Sequence, residues 1–458
     1  MKYIKYSFII FLLIYINSSF AQQSDSSVIK SIYDEALKSY NSYNELRYLC
    51  KNIGGRICGS KQSETAIEWA KKEMTDLGFD KVYLQETKVR HWIRGDKEIA
   101  NVKSKISGNH NLTICALGTS VGTGENGIKG NIIEVKHLED LEKIGSEEIK
   151  GKIIFYNRAA DQTLINTFAA YGGVADQRVF GAIQAAKFGA VGVVIRSLTV
   201  ANDDFPHTGI MRYVDSLTKI PACAVSTMGA DSLSDWLKND PQLEFYFKMN
   251  CKEEPEVKSF NVIGELTGTE FPDEIILVGG HLDSWDIGEG AHDDGTGVVH
   301  SIETLRLLKI LNIIPKHTIR CVLFIDEEIA QRGARTYAES VTAKNEKHLI
   351  AIESDEGGFN PFGFEFNGTE EQTKTFKEWK KYLLPYGIYD IRPGYGGVDV
   401  SFLKDAGIPL AGLNVSFQRY MDYHHSPNDI FEHVNRRELQ MGAATIASIV
   451  YLVDKYGL

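Results

Sequence analysis

Six side chains in the latter part of the chain have the chemistry of a two-metal hydrolase: His281, Asp293, Glu327, Glu328, Asp355 and His425. Two imidazoles and three carboxylates without a thiolate suit Zn2+ best, with Mn2+ or Co2+ as substitutes. The sixth residue, Glu327, is left over as a proton acceptor. Two ions about 3.5–4 Å apart clamp a carbonyl and acidify a water, while a carboxylate takes the proton and returns it to a leaving amine. Hydrolysis of an amide is the reaction class that follows. Each residue alone has a blander use, so the elements that carry them decide.

Glu274 to Gly280 reads as a continuous apolar strand that delivers His281 at its end. Two residues on, Asp283 falls on the same side, where its carboxylate can accept the other imidazole N–H. Taken singly, a hydrogen-bonded strand-end histidine explains His281 as well. Asp293-Asp294-Gly295 lies in a glycine-rich loop before a helix predicted over Thr296 to Leu311. Asp293 is assigned the bridge, one oxygen to each ion, whereas Asp294 suits a turn or N-cap. Glu327 and Glu328 follow a buried strand, His317 to Ile325. Adjacent carboxylates there are costly unless cations compensate them, and in extended chain they point different ways. Asp355 comes two residues after a strand around Leu349 to Glu353. His424-His425 precedes the turn-rich Ser426-Pro427-Asn428-Asp429, where only one imidazole needs to ligate.

These strands, with another around Leu410 to Asn414, alternate with helices at Glu370 to Leu384 and Glu438 to Tyr456. The pattern predicts an α/β fold, a mostly parallel or mixed sheet covered by helices on both faces. Ligands gather at the carboxyl ends of such strands, where the six residues fall. Upstream come a helical stretch from Ile29 to Tyr48 and a Gly54-Gly55-Arg56 turn. An amphipathic helix from Ser63 to Leu77 ends at Gly78, and a strand runs from Lys81 to Val89. Between Gly118 and Glu254 glycines cluster and short β-rich runs flank one helix, Phe180 to Phe188. Residues 118–254 are therefore expected to form a smaller α+β unit inserted in a catalytic domain of residues 22–117 and 255–458.

At 458 residues, two domains are expected. A net charge of −11 argues against nucleic acid or an anionic membrane surface as partner. Lys2 and Lys5 precede an apolar run, Phe8 to Ile16, and Ser19-Phe20-Ala21 fits a signal cleavage site. The run is shorter than the roughly 20 residues of a membrane span, so residues 1–21 read as a cleaved signal of a secreted or periplasmic protein without a membrane anchor. Their removal, which takes two lysines, brings the charge to −13. The six cysteines form no CxxC pair. An oxidising compartment allows one or two disulfides, Cys50–Cys58 being easiest by proximity, whereas Cys321 reads as packing.

The segments His281-Leu-Asp-Ser-Trp-Asp286, Asp293-Asp294-Gly295, Glu327-Glu328, Glu353-Ser-Asp355 and His424-His425-Ser426 resemble those of the secreted dizinc exopeptidases, a family of amino- and carboxypeptidases. The resemblance runs from about Cys50 to the C-terminus. It implies one zinc on His281, Asp293 and Asp355, and a second on Asp293, Glu328 and His425, with Glu327 as acid/base. His425 is preferred over His424 because the family's ligand precedes a Ser or Thr, here Ser426. The resemblance also implies a cis peptide at Asp293–Asp294, a homodimer, and a protease-associated domain at 118–254. Within that domain Pro206-His207-Thr208-Gly209 recurs, and His207 is either a substrate contact or an ordinary loop histidine. Asp326, His292 and Ile430 depart from the pattern without removing a ligand. Dipeptides or short peptides cut as by a carboxypeptidase are the substrates it favours; an aminopeptidase is the alternative, and a non-catalytic binding relative the rival class. Two decoys fail on context: Gly118-Thr-Ser120-Val-Gly122 lacks the helix a nucleophile elbow needs, and Gly122-x-Gly124-x-x-Gly127 runs into a strand.

Overall fold

The computed structural model describes residues 24–458. The signal-peptide expectation, with its cleavage near Ala21, lies outside the described residues. An eight-stranded mixed sheet organises the larger unit, in the order Lys81–Ile93, Lys252–Leu266, His317–Phe324, Phe271–His281, Lys347–Glu353, Leu410–Val415, Pro361–Asn367, Asp390–Pro393. The four strands from His317–Phe324 to Leu410–Val415 are mutually parallel. Antiparallel pairing begins at Lys252–Leu266 on one side and at Pro361–Asn367 on the other.

The period-two alternation of a strand sorts its apolar residues between two helical layers. Along Phe271–His281, Ile276 and Val278 join the core beneath the helices Thr296–Ile310 and Arg436–Tyr456. Leu277 faces the other way, against Ala334, Tyr337 and Val341 of the helix Arg332–Lys344. This is why the strand reads as continuously apolar: both faces are covered. The expected helices from Ser63, Thr296 and Glu438 form as Lys61–Asp76, Thr296–Ile310 and Arg436–Tyr456. The stretch from Ile29 to Tyr48 is two helices, Asp25–Lys38 and Asn41–Tyr48, parted by Ser39 in an extended conformation.

A second eight-stranded sheet runs Gly108–Leu112, Ile99–Ser104, Glu244–Lys248, Ile128–Val135, Ile153–Tyr156, Gly192–Arg196, Ala222–Val225, Ile114–Ala116. Three of its strands precede residue 118, so the expected boundary cuts this sheet. Residues 99–116 pair with strands of the smaller unit and not with the first sheet. Their short length and polar texture hid that membership. The sheets meet at Trp285, whose ring presses on Gly118 so closely that a Cβ there would lie 1.9 Å from it. Ser120, the serine of the decoy motif, is buried and its hydroxyl accepts the Ala222 N–H at 2.9 Å.

No disulfide forms among the described residues, and all six cysteines are free and buried. Cys58 does not meet Cys50; its thiol points at Asp326 Oδ1, 2.9 Å away. No helix among the described residues is long and apolar enough to cross a membrane.

Candidate metal centre

The loops after the parallel strands bring all six expected residues to one place. His281 closes its strand 1% exposed, with Nε2 3.2 Å from Asp293 Oδ1 and 3.3 Å from Asp355 Oδ1. Its other nitrogen meets the main-chain carbonyl of Asp283 at 3.0 Å, while the Asp283 carboxylate stands off at 3.9 Å. The expected carboxylate–imidazole bond is thus replaced by a backbone one. The Asp283 carboxylate instead accepts the Glu327 N–H at 3.1 Å, fixing the turn that presents the two glutamates.

On the far side of Asp293, its Oδ2 lies 3.4 Å from His425 Nε2, and that nitrogen lies 3.1 Å from Glu328 Oε2. Asp293 therefore offers one oxygen to each cluster, the disposition of a bridge. His424 is close as well, at 3.8 Å from Asp293, but forms no contact with Glu328 within ion-pair distance. Grouping by proximity alone gives the triads Asp293–His424–His425 and His281–Asp294–Asp355. Bonding separates the neighbours. Asp294 spends Oδ2 on the His281 N–H at 3.0 Å and Oδ1 on the Gly297 N–H at 2.8 Å, so its work is to tie strand to helix. The peptide between Asp293 and Asp294 is cis.

The donor set fits cations. His281 Nε2, Asp293 Oδ2, Glu328 Oε1 and Asp355 Oδ1 are all buried without a hydrogen-bond partner, an arrangement that proteins rarely tolerate in atoms left to themselves. Against a burial penalty that works the other way, Asp355 and Asp293 raise the His281 imidazole well above its ordinary range. The cluster is short of positive charge. Burial, reinforced by Asp355, Asp293 and Asp283 and opposed by His281, pushes the Glu327 carboxyl up to about 8. Burial and the surrounding anions thus favour the neutral acid, a charge imbalance that cations held beside it would relieve.

The supporting roles of several residues show only in the structure. Arg56, fully buried, donates to the carbonyls of Leu282, Glu289 and Gly290 at 2.5, 2.8 and 3.1 Å, pinning the loop between His281 and Asp293. Asp429 accepts the N–H groups of His292 and Asp293 at 2.7 and 3.1 Å. His292 stacks on Phe359 and Tyr423, and burial pushes it down to about 3, so it stays neutral. His207 is 2% exposed and bonds the His424 carbonyl at 2.7 Å, while Thr208 N–H bonds the His425 carbonyl at 2.8 Å. His207 thus holds the histidine loop.

A cavity of about 790 Å3 opens on the centre, walled by both units. From the smaller unit comes Arg178, 6% exposed, whose Nε has no partner and whose Nη1 reaches only the Thr208 carbonyl, at 3.4 Å. A Cβ at Gly209 would meet Arg178 Nη1 at 2.3 Å and His425 Nδ1 at 2.8 Å, so the guanidinium stands beside the histidine.

The model of peptidase family M28 matches residues 261–450, the stretch that holds all six residues. Mouse carboxypeptidase Q is 34% identical over 412 residues, covering 90% of this chain and 85% of its own. The chain belongs to peptidase family M28. It is accordingly a metallo-exopeptidase, a hydrolase of peptide bonds. Human carboxypeptidase Q is also 34% identical, over 94% of this chain and 89% of its own. The crystal structure of a peptidase M28 precursor from Shewanella amazonensis superposes with TM-score 0.89 at 34% identity, covering 94% of this chain and 96% of that one. A zinc aminopeptidase from Bacillus subtilis, 21% identical with TM-score 0.65 over 90% of this chain and 94% of its own, shares the fold.

Proposed function

We propose that this chain is a secreted or periplasmic dizinc exopeptidase that hydrolyses dipeptides or short peptides from the carboxyl end. The unpartnered buried atoms of His281, Asp293, Glu328 and Asp355 carry the metal assignment. His281, Asp293 and Asp355 would hold one zinc; Asp293, Glu328 and His425 would hold the other. Ions held there supply Lewis acidity to the scissile carbonyl and to the attacking water. Glu327, set by the Asp283 carboxylate, takes a proton from that water and passes it to the leaving amine. The second sheet, taken from residue 99 to about 250, serves as a protease-associated insert that walls the cavity.

Arg178 supports the carboxypeptidase assignment. A buried guanidinium without a carboxylate partner, in the wall of the cavity and beside His425, suits a substrate's terminal carboxylate by a two-bond fork. The test of the mechanism is Glu327→Gln with metal analysis of both proteins. Two zinc ions per chain are expected in each, with kcat lowered by roughly 10²–10⁴-fold in the variant. Full peptidase activity of Glu327→Gln, or wild type without stoichiometric metal, overturns the proposal.

A further inference from the structure

Two of the turns that carry the centre are touched by one short segment, Arg56 to Gly59. The loop between His281 and Asp293 hangs on the three carbonyl bonds of Arg56. Two residues on, Cys58 is fully buried, and its thiol reaches the other turn at Asp326 Oδ1, 2.9 Å away. A second acceptor, the Arg90 carbonyl, is farther off at 3.5 Å, so the single thiol hydrogen belongs to Asp326. The segment itself has little room to shift. The Ser60 N–H closes on the Ile57 carbonyl at 3.1 Å, and a Cβ at Gly59, where φ is +81°, would meet the Arg90 carbonyl at 3.0 Å.

Asp326 is the pivot of the turn that presents Glu327 and Glu328. Before it the chain is fixed: Ile325 donates its N–H to Asn261 Oδ1 at 3.0 Å, and its carbonyl accepts the Gly333 N–H at 3.0 Å. Asp326 then takes φ +72°, a left-handed conformation that residues other than glycine adopt at a cost. Its carbonyl closes the turn by accepting the N–H groups of Ala330 and Gln331 at 3.2 and 2.5 Å. Its carboxyl is wholly buried, with the Cys58 thiol at Oδ1 and no partner at Oδ2. A buried carboxyl one residue before the base is costly unless a donor holds it.

We propose that Cys58 is a positioning residue for the peptidase reaction: its bond to Asp326 fixes the direction in which Glu327 and Glu328 leave the strand. Arg56 and Cys58, two residues apart, then work as one clamp. They hold the turn of the base in register with the loop of His281 and Asp293. The consequence falls on the metals. Glu328 Oε2 lies 3.1 Å from His425 Nε2, its partner for the second ion, so a turn released at Asp326 moves one ligand of that ion and leaves the His281 side in place. The inference rests on the dizinc peptidase assignment above and adds to it a residue that touches neither substrate nor metal.

The test is a double-variant cycle of the zinc-loaded protein: wild type, Cys58→Ala, Asp326→Gly and the two combined, with Cys58→Ser beside them. Chelator competition gives the affinity of each zinc ion, and hydrolysis of Ala-Ala gives kcat and KM. Thermal unfolding of the metal-free chains reports the fold. Cys58→Ala is expected to weaken one of the two zinc ions by roughly 10–100-fold and to lower kcat while KM stays near wild type. Cys58→Ser, whose hydroxyl donates to the same carboxyl, should recover most of both losses. Asp326→Gly keeps the left-handed turn and removes only the carboxyl, so the combined variant should be no worse than either single one. It also supplies the reading if Cys58→Ala does not fold. Wild-type zinc affinity and kcat in Cys58→Ala, equal losses in Cys58→Ala and Cys58→Ser, or losses that add in the combined variant overturn the clamp. A wild-type chain that binds no zinc overturns instead the dizinc assignment beneath it.

Discussion

Replacing Arg178 by Met keeps the volume of the side chain and removes only its charge and its fork of donors. In the free protein little is lost, because the guanidinium bonds one carbonyl at 3.4 Å and otherwise leans on the Tyr171 ring at 5.3 Å. In the complex a buried, bidentate carboxylate–guanidinium pair is lost, a contribution of about 2–5 kcal/mol when one partner is truncated. At about 1.36 kcal/mol per decade this is roughly a 30- to 5,000-fold fall in kcat/KM. The fall should appear on dipeptides with a free carboxyl end and vanish on the same dipeptides carrying a terminal amide. Measuring both series for wild type and Arg178→Met, with zinc content and thermal unfolding as controls, gives the answer in one experiment. Equal losses on free and amidated substrates would show that Arg178 acts on the centre and not on the carboxylate, and the carboxypeptidase assignment would go with it.

Arg56→Lys should lower zinc affinity by roughly 10–100-fold, measured by chelator competition, because a single ammonium cannot hold the three carbonyls of the His281–Asp293 loop; unchanged affinity would mean the loop holds itself. Gly209→Ala is expected to cut activity at unchanged expression, since the added methyl meets both Arg178 and His425 and φ there is +129°; full activity would show that both side chains can yield. Burial, with Arg320 nearby, depresses His348 to about 4 from 6.5. A depressed folded value means that its share of stability is whole above the unfolded pKa and is lost as pH falls from about 6.5 towards 4, on the order of 3 kcal/mol. Urea midpoints at pH 7 and pH 5 should therefore converge in His348→Gln relative to wild type, and parallel losses in the two proteins would contradict the assignment.

The metal centre was legible because its residues follow strands whose continuous apolar runs are hard to mistake. The strand Phe271–His281 and the loops after it stand where the pattern of Ile275 to Gly280 put them. Assignments that depended on backbone bonding were not legible. Nothing in the type of Asp283 says that its carbonyl serves His281 while its carboxylate serves Glu327, because a residue supplies both groups. Arg178 likewise becomes informative only through the absence of a carboxylate partner, a property of three-dimensional surroundings and not of spacing. The boundary at residue 118 failed for a related reason: strands such as Ile114–Ala116 are three residues long, and their pairing with Ala222–Val225 is distant in sequence.

The bonds from His207 and Thr208 to the carbonyls of His424 and His425 bear on how modular this molecule is. The smaller unit is spliced into the chain, yet it grips the backbone of a loop laid down two hundred residues later. A swing of that unit away from the centre would break these bonds or carry the histidine loop with it. Nor can the unit be deleted or exchanged for another module by simple ligation at its ends. A relative that dispenses with it has to find its second histidine another anchor.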